Sequence, residues 1–264
     1  MEANPLKRLA NELKQKSDIE QSMKLARKCQ LRMLPNLPKV DGYEFQTIYI
    51  PCANVSGDFY DFITVSDHEI GIALGDVSGH GIEAGMVMGM AKKALQIYAQ
   101  GVSSPKQALA ITNADIAKDL GDSTFVSAGY GVLDYRNRVF RFSRAGNNPP
   151  FLVNPARTPV VAEVKPNGMV MGMDKSGKRF PMVIQEEVIQ MQSGDVFFQF
   201  TDGLVEAPNR ERREFGDERL RELLLRNAAR PLAQLVELIE ESVQSHIGSL
   251  AQEDDITIIA FRML

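Results

Sequence analysis

Glu69-Ile70-Gly71-Ile72-Ala73-Leu74-Gly75-Asp76-Val77-Ser78-Gly79-His80-Gly81 is the stretch that decides the fold. Its first half is a short, nearly all-apolar run, the pattern of a strand covered on both faces. Its second half is rich in glycine and opens a Gly-, Ala- and Met-rich segment, Gly79–Gln100, that reads as a long helix. The small residues Gly81, Ala84, Gly85 and Gly89 predict close packing of that helix against a sheet, since glycine otherwise weakens a helix. Asp76 stands at the junction. A carboxylate flush against a buried strand cannot point unpaired into an apolar core, because burying a lone charge is very costly. It faces water or gathers around something positive.

The same arrangement recurs three times along the chain. Asp58, in Val55-Ser56-Gly57-Asp58-Phe59-Tyr60-Asp61, precedes an apolar strand. Asp202 ends the run Val196-Phe197-Phe198-Gln199-Phe200-Thr201, and Asp254 and Asp255 stand directly before Ile256-Thr257-Ile258-Ile259-Ala260. Gly57, Gly75 and Gly203 beside these acids allow close backbone approach. Carboxylates without clustered histidine or cysteine suit Mg²⁺ or Mn²⁺ better than zinc. Brought together, such acids repel and hold their protons more tightly, so cations give the cluster a physical purpose. Spacing leaves two readings open: a two-metal hydrolytic centre, or separate solvated turn residues.

Around these points the chain alternates strands and helices. Pro5 to about Met33 is helical, with an apolar stripe of Leu6, Leu9 and Leu13 followed by Ile19, Met23, Ala26 and Met33. The stripe changes register around Lys14–Asp18, as at a break or a stutter, and its narrow seam packs on the body of the chain or on a second copy. Leu34-Pro35-Asn36-Leu37-Pro38 ends it. Strands are expected at Tyr43–Ile50, Tyr60–Val65 and Glu69–Leu74, then a helix at Pro105–Leu120 and strands at Phe125–Asp134, Arg138–Ser143 and Phe151–Val153. The Pro/Gly-rich stretch Pro155–Lys178 holds a short strand near Val160–Val164. Strands at Met182–Met191 and Val196–Phe200, helices at Asp217–Arg226 and Pro231–Ser245, and a strand at Ile256–Phe261 complete a layered α/β or α+β order.

Composition sets outer limits. At 264 residues, 44% hydrophobic and 24% charged, the chain is long and apolar enough for one large globular unit. Two cysteines, Cys29 and Cys52, cannot build a disulfide framework, so a reducing compartment is expected. The formal charge of −4 is unevenly spread: residues 1–40 hold nine Lys/Arg against four Asp/Glu, leaving 21 against 30 for the rest. That acidic body gives no reason to expect nucleic acid as a partner. No run of about 18 apolar residues exists to span a membrane. Met1-Glu2-Ala3-Asn4 does not open a signal peptide. A cytoplasmic location is expected.

Taken together and in this order, Gly57–Asp61, Gly75–Gly81, Thr201-Asp202-Gly203-Leu204-Val205-Glu206-Ala207 and Asp254–Thr257 resemble the bacterial branch of the metal-dependent serine/threonine protein phosphatases of the PPM type. That branch includes sporulation and general-stress-response phosphatases. The segments Leu34-Pro35 through Gly42-Tyr43 and Pro51-Cys52-Ala53 resemble the start of those domains, and the likeness covers about residues 30–264. It implies an α+β fold in α/β/β/α layers, two packed and mainly antiparallel sheets flanked by helix pairs. Residues 1–34 would then be an N-terminal helical regulatory or dimerisation segment and 35–264 the phosphatase domain.

The resemblance also assigns roles. Asp76 would bridge two Mn²⁺ or Mg²⁺ ions, with Asp58 and the Val77 backbone carbonyl completing one and Asp202 and Asp254 the other. Asp255 matches a position often held by a non-ligand polar residue that orients a ligand or a metal-bound water. His80 would either protonate the leaving oxygen or act structurally: eukaryotic relatives have an acidic-glycine-histidine triplet, whereas Val77 and Ser78 intervene here. Those relatives also clamp phosphate with an arginine near the first acid motif, and Ile50–Val55 has none. Arg144, in Arg144-Ala145-Gly146-Asn147-Asn148, could reach in, with Asn147 ordering the rim. Ser56 and Ser78 are expected to be hydrogen bonders rather than nucleophiles.

The implied activity is hydrolysis of phosphoserine or phosphothreonine on a small regulatory protein, an anti-sigma-factor antagonist, by a water activated between two metals. Pro155–Lys178 and the rim near Asp174–Arg179 would help dock it, or form an ordinary surface loop. The N-terminal helix would join an upstream regulator or a second copy. The alternatives are a weak or inactive phosphoprotein-binding regulator, a two-metal hydrolase acting on nucleotides, and a helical scaffold.

Overall fold

The structure is a computed structural model that describes residues 5–264, without the side chains of residues 5–10 and 12. Met1–Asn4 and the Leu6 and Leu9 side chains of the N-terminal stripe therefore lie outside the described residues. The elements run α1 (Pro5–Leu31), β1 (Tyr43–Ile50), β2 (Phe59–Ser66), β3 (Glu69–Val77), α2 (Ile82–Tyr98), α3 (Pro105–Ile116), β4 (Val126–Asp134), β5 (Val139–Ala145), β6 (Phe151–Val153) and β7 (Val161–Glu163). They continue with α4 (Phe180–Val183), β8 (Glu186–Gln190), β9 (Val196–Phe200), α5 (Asp202–Val205), α6 (Asp217–Asn227), α7 (Leu232–Ile247) and β10 (Ile256–Met263).

The strands form two five-stranded sheets, ordered β1-β10-β9-β6-β7 and β2-β3-β4-β5-β8, with every strand pair antiparallel. An aromatic layer holds them face to face. The Phe140 ring meets Phe197 at 4.7 Å and Phe261 at 5.0 Å, both edge-on, and all three side chains are fully buried. Outside one sheet, Met88, Ala91 and Leu95 of α2 and Leu109 of α3 pack on Ala73, Tyr130 and Val132. Outside the other, Leu220 and Leu224 of α6 and Leu235 and Ile239 of α7 cover Phe198, Phe200 and Ile258. This is the four-layer α+β arrangement that the resemblance implied.

Several expectations need correction. α2 begins at Ile82, not Gly79, because Gly79 and Gly81 hold φ of +87° and +85°, outside any right-handed helix. β3 continues past Leu74 to Val77, so Asp76 is a strand residue paired with Ser127. Met182–Met191 is not one strand. A helical turn, Phe180–Val183, comes first, because the Asp174 carboxylate accepts the amides of Arg179 (2.6 Å) and Phe180 (3.0 Å) and starts the turn. α1 runs without a break through Lys14–Asp18. The glycines of α2 also face elsewhere: a Cβ on Gly85 would meet Val55 at 2.1 Å and Gln30 at 3.4 Å, and one on Gly89 would meet Met33. They make room for the end of α1 and the Val55 loop, while the buried Lys92–Asp61 ion pair ties α2 to the sheet.

Antiparallel pairing fixes where the acids fall. Asp58 precedes β2 and Asp76 lies near the end of β3, so both sit at one end of their sheet. Asp202 follows β9 and Asp254 and Asp255 precede β10, at one end of the other sheet.

Candidate metal centre

These two sheet ends meet at Asp58. Its carboxylate is buried, and its Oδ2 accepts hydrogen bonds from the hydroxyls of Thr201 (2.9 Å) and Thr257. Thr201 and Thr257 are themselves locked together: the Thr201 amide donates to the Thr257 carbonyl at 3.0 Å, and the Thr257 amide donates to Thr201 Oγ1 at 2.9 Å. An acid from one sheet is thus held by two hydroxyls of the other.

Asp255 holds the loop that carries Asp58. Its Oδ1 accepts the Cys52 amide at 2.7 Å, and its Oδ2 accepts the Ser56 hydroxyl at 2.6 Å and the Gly57 amide at 3.0 Å. Ser56 Oγ in turn accepts the Asp58 amide at 3.0 Å. From the other side Gln30 of α1 grips Ser56, donating to its carbonyl at 2.7 Å and accepting its amide at 2.9 Å. Close backbone approach completes the arrangement. A Cβ on Gly57 would lie 2.8 Å from the Val77 carbonyl oxygen, and one on Gly203 would lie 2.1 Å from the Asp255 carbonyl oxygen. Neither position has space for a side chain.

The carboxylates feel one another. Burial first, then the Asp76 charge, pushes Asp58 well above the usual carboxylate range, against the pull of the two threonine hydroxyls. Asp76 is pushed up to about 7 by burial first and then by Asp202 and Asp254, while a hydrogen bond shared with Asp58 opposes the rise. Asp202 is raised by burial, with its own amide and that of Gly203 opposing. Asp254, on the exposed rim, is raised mainly by lost hydration and then by Asp202 and Asp255; its bond from the Asp255 amide and the nearby His80 oppose this. No lysine or arginine pairs with any of these four among the described residues. A cluster of hard oxygen donors with no lysine or arginine paired to it, next to a backbone carbonyl, fits a divalent ion.

Cys52, Asp254 and Asp255 also bring one ligand atom each within 4.8 Å. That triplet makes a poor ion site. Both Asp255 oxygens already accept protein donors, and burial and Asp255 push the Cys52 thiol up to about 12. Ser78 Oγ accepts the Phe125 amide at 3.0 Å, so it ties β3 to the loop before β4. His80 is exposed beside a hollow of about 240 Å³ that it lines with Ser78, Glu83 and Thr124. Arg144 makes no ion pair among the described residues: its Nη1 donates to the Asn147 carbonyl at 2.7 Å, and the Asn147 side chain reaches Ser127, the partner of Asp76 across the sheet.

The structure therefore gathers Asp58, Asp76, Asp202 and Asp254 and gives Asp255 a loop-holding position. Thr201, Thr257 and Gln30 escape the sequence. Threonine inside an apolar strand reads as an ordinary β residue, and Gln30 is one glutamine among several in a polar helix; only Thr201 gave a signal, by standing next to Asp202.

The architecture is that of a known domain. The SiaA-PP2C domain of Pseudomonas aeruginosa superposes with a TM-score of 0.80 over 94% of this chain and 98% of its own, at 23% sequence identity. The likeness defines the fold: this is a PP2C-type domain, with the acid cluster where its two sheets meet. Residues 66–264 match the stage II sporulation protein E (SpoIIE) family, and the chain belongs to that family. Protein IcfG of Synechocystis sp. (strain ATCC 27184 / PCC 6803 / Kazusa) is 27% identical over 263 residues, 89% of this chain and 40% of IcfG. Phosphoserine phosphatase RsbU of Bacillus subtilis (strain 168) is 27% identical over 252 residues, 93% of this chain and 71% of RsbU. The chain thus spans less than half the length of IcfG. None of the described helices is long and apolar enough to cross a membrane.

Proposed function

We propose that this chain removes phosphate from phosphoserine or phosphothreonine on a small regulatory protein of the anti-sigma-factor-antagonist kind. The observation that carries the proposal is the convergence of four carboxylates from both sheets with no lysine or arginine paired to any of them among the described residues. The likeness to RsbU, named a phosphoserine phosphatase, supports the substrate class. Asp76 would hold two divalent ions jointly, Asp58 and the Val77 carbonyl one of them, and Asp202 and Asp254 the other. When bound, Mn²⁺ or Mg²⁺ supplies a water acidic enough to attack phosphorus and positive charge for the phosphoryl oxygens.

The protein's own groups do the positioning. Thr201 and Thr257 hold Asp58 in place, and Asp255 and Ser56 hold its backbone. Ser56 donates to Asp255 and accepts the Asp58 amide, and Ser78 accepts the Phe125 amide, which supports a positioning role over a nucleophilic one for both. His80 is the side chain proposed to protonate the leaving seryl oxygen. Residues 1–34 act as the regulatory or dimerisation segment of the domain 35–264. Gln30 connects α1 to the Asp58 loop, and exposed Leu13, Ile19 and Leu25 offer contacts to a second copy or an upstream regulator.

Phosphate release from phosphoserine and phosphothreonine peptides, with and without Mn²⁺, tests the proposal beside ATP and GTP as competitors. Metal-dependent release from the peptides is expected, and it should be lost in Asp76→Asn. Peptide binding without turnover would leave a phosphoprotein binder instead. Preference for the nucleotides would leave a nucleotide hydrolase.

A further inference from the structure

We infer that Tyr49 is a positioning residue for the metal centre: its hydroxyl holds the main chain of Asp58 and so sets how tightly the site takes a divalent ion. The inference deepens the function proposed above and rests on its metal centre. Tyr43, Phe45, Thr47 and Tyr49 alternate along one face of β1, and Tyr43, Phe45 and Tyr49 all pack in the layer between the sheets. Tyr49 stands at the end where the acids lie, since the next residue, Ile50, pairs with Ile256, directly after Asp255. Its half-buried ring meets the Tyr60 ring of β2 edge-on at 6.2 Å. Its hydroxyl lies 3.4 Å from the Asp58 carbonyl oxygen and 3.5 Å from Gln30 Oε1.

The strand register makes Tyr49 a counterpart of Thr257. The two are opposite each other in β1 and β10, and both send a hydroxyl across to Asp58. Thr257 reaches the carboxylate and Tyr49 the main-chain carbonyl. Ser56 Oγ accepts the amide of the same residue. Asp58 is thus held at its carboxylate, its amide and its carbonyl, each by a different residue. A ligand held at three points is fixed in direction as well as in place, which is what the outer partners of a metal ligand supply.

One proton serves two acceptors here. A phenol keeps its proton at neutral pH, and burial raises the Tyr49 pKa further. Gln30 Oε1 already accepts the Ser56 amide at 2.9 Å, so the hydroxyl is left to donate to the Asp58 carbonyl. That bond is long, which puts its weight toward the low end for a neutral pair.

The test compares the full chain with Tyr49→Phe and Tyr60→Phe. Each variant keeps its ring and loses one hydroxyl, and that of Tyr60 donates to the Pro35 carbonyl, also at 3.4 Å. Calorimetric titration with Mn²⁺ reads affinity, and amide exchange in EDTA reads the metal-free loop. Tyr49→Phe is expected to weaken Mn²⁺ binding roughly threefold to fivefold. It should speed exchange at Asp58 and leave kcat on p-nitrophenyl phosphate at saturating Mn²⁺ as in wild type. Tyr60→Phe should change neither the affinity nor the exchange at Asp58. Equal Mn²⁺ affinity in Tyr49→Phe and wild type would overturn the inference. Equal losses in the two variants would do the same, making both hydroxyls general packing. So would a loss confined to kcat, which would put Tyr49 in the reaction itself. Weakened Mn²⁺ binding in Tyr49→Phe, with no turnover of phosphoserine or phosphothreonine peptides by wild type, would sink the phosphatase proposal and leave this one standing. A wild type that takes up no Mn²⁺ would sink both.

Discussion

Replacing Asp76 by asparagine should make the metal-free protein more stable while abolishing its activity. In the fold, burial and the charges of Asp202 and Asp254 push Asp76 from its ordinary 3.8 up to about 7. An acid whose folded pKa is raised keeps a proton that the unfolded chain gives up, so folding loses free energy as pH rises through that window. The loss begins near pH 4, is complete a little above pH 7, and is absent at lower pH. At 1.36 kcal/mol per unit it amounts to a few kcal/mol at pH 8. Asparagine keeps the shape and sheds the charge. In excess EDTA at pH 8, Asp76→Asn should melt roughly 5–15 °C above wild type, given about 2–4 °C per kcal/mol for a chain of this size. The gap should close as the pH falls toward 4. Adding Mn²⁺ should reverse the order, because an ion that binds only the folded state stabilises it by mass action and the variant would lack the ligand that the proposed function shares between the ions. Thermal unfolding followed by circular dichroism between pH 4 and 8, with EDTA or Mn²⁺, reads all three effects. Wild type and variant melting together in EDTA at pH 8, or a gap that persists unchanged at pH 4, would refute the reasoning.

Three other perturbations probe the parts that hold the acids. Thr257→Val removes a hydroxyl from a buried carboxylate, a bond worth about 1.5–3 kcal/mol or one to two pKa units. Mn²⁺ affinity by calorimetry should fall by about 10–100-fold, more at pH 6 than at pH 8, and an unchanged isotherm would show the hydroxyl to be idle. In Gly203→Ala the Asp255 carbonyl, 2.1 Å from the new methyl group, must recede by about 1 Å, a misplacement that costs roughly a hundredfold in kcat/KM; near-wild-type turnover would mean that the site adapts. Gln30→Leu should speed amide exchange at Gly57 and Asp58 and lower Mn²⁺-dependent turnover, while exchange in the interior of β3 and β4 stays as in wild type. Equal protection of Gly57 in both proteins would deny α1 any hold on the loop.

What the sequence disclosed follows from range. Asp58, Asp76, Asp202 and Asp254 were legible because each abuts an apolar run, a local contradiction visible within a few residues. The alternating strands were legible for the same reason. Features that depend on a distant partner were not. Gly85 and Gly89 read as a surface for a sheet, although their neighbours are Val55 and α1. Met182 read as strand, because the acid that starts its helical turn, Asp174, lies eight residues earlier across a loop. The start of α2 was misplaced because glycine fits both a helix and the positive φ that Gly79 and Gly81 adopt. Nothing local marks Thr257 as the residue whose hydroxyl crosses between the sheets.

The Asp58 loop is held from two sides of different character. Asp255 belongs to β10's lead-in and is fixed wherever the two sheets pack, so its three bonds to Cys52, Ser56 and Gly57 come with the fold. Gln30 belongs to a helix whose residues 13–22 are exposed along their whole length, so its two bonds to Ser56 last only while α1 lies against α2. Ser56 joins the two holds, since its hydroxyl accepts the Asp58 amide. At about 1 kcal/mol for each neutral bond, docking of α1 is worth roughly 2 kcal/mol to the order of this loop, about a thirtyfold range in the population competent to bind metal. In the proposed function that is ample for a graded control, and too small for α1 to be needed for folding of the domain itself. Withdrawal of the helix should therefore weaken metal binding while the sheets remain intact.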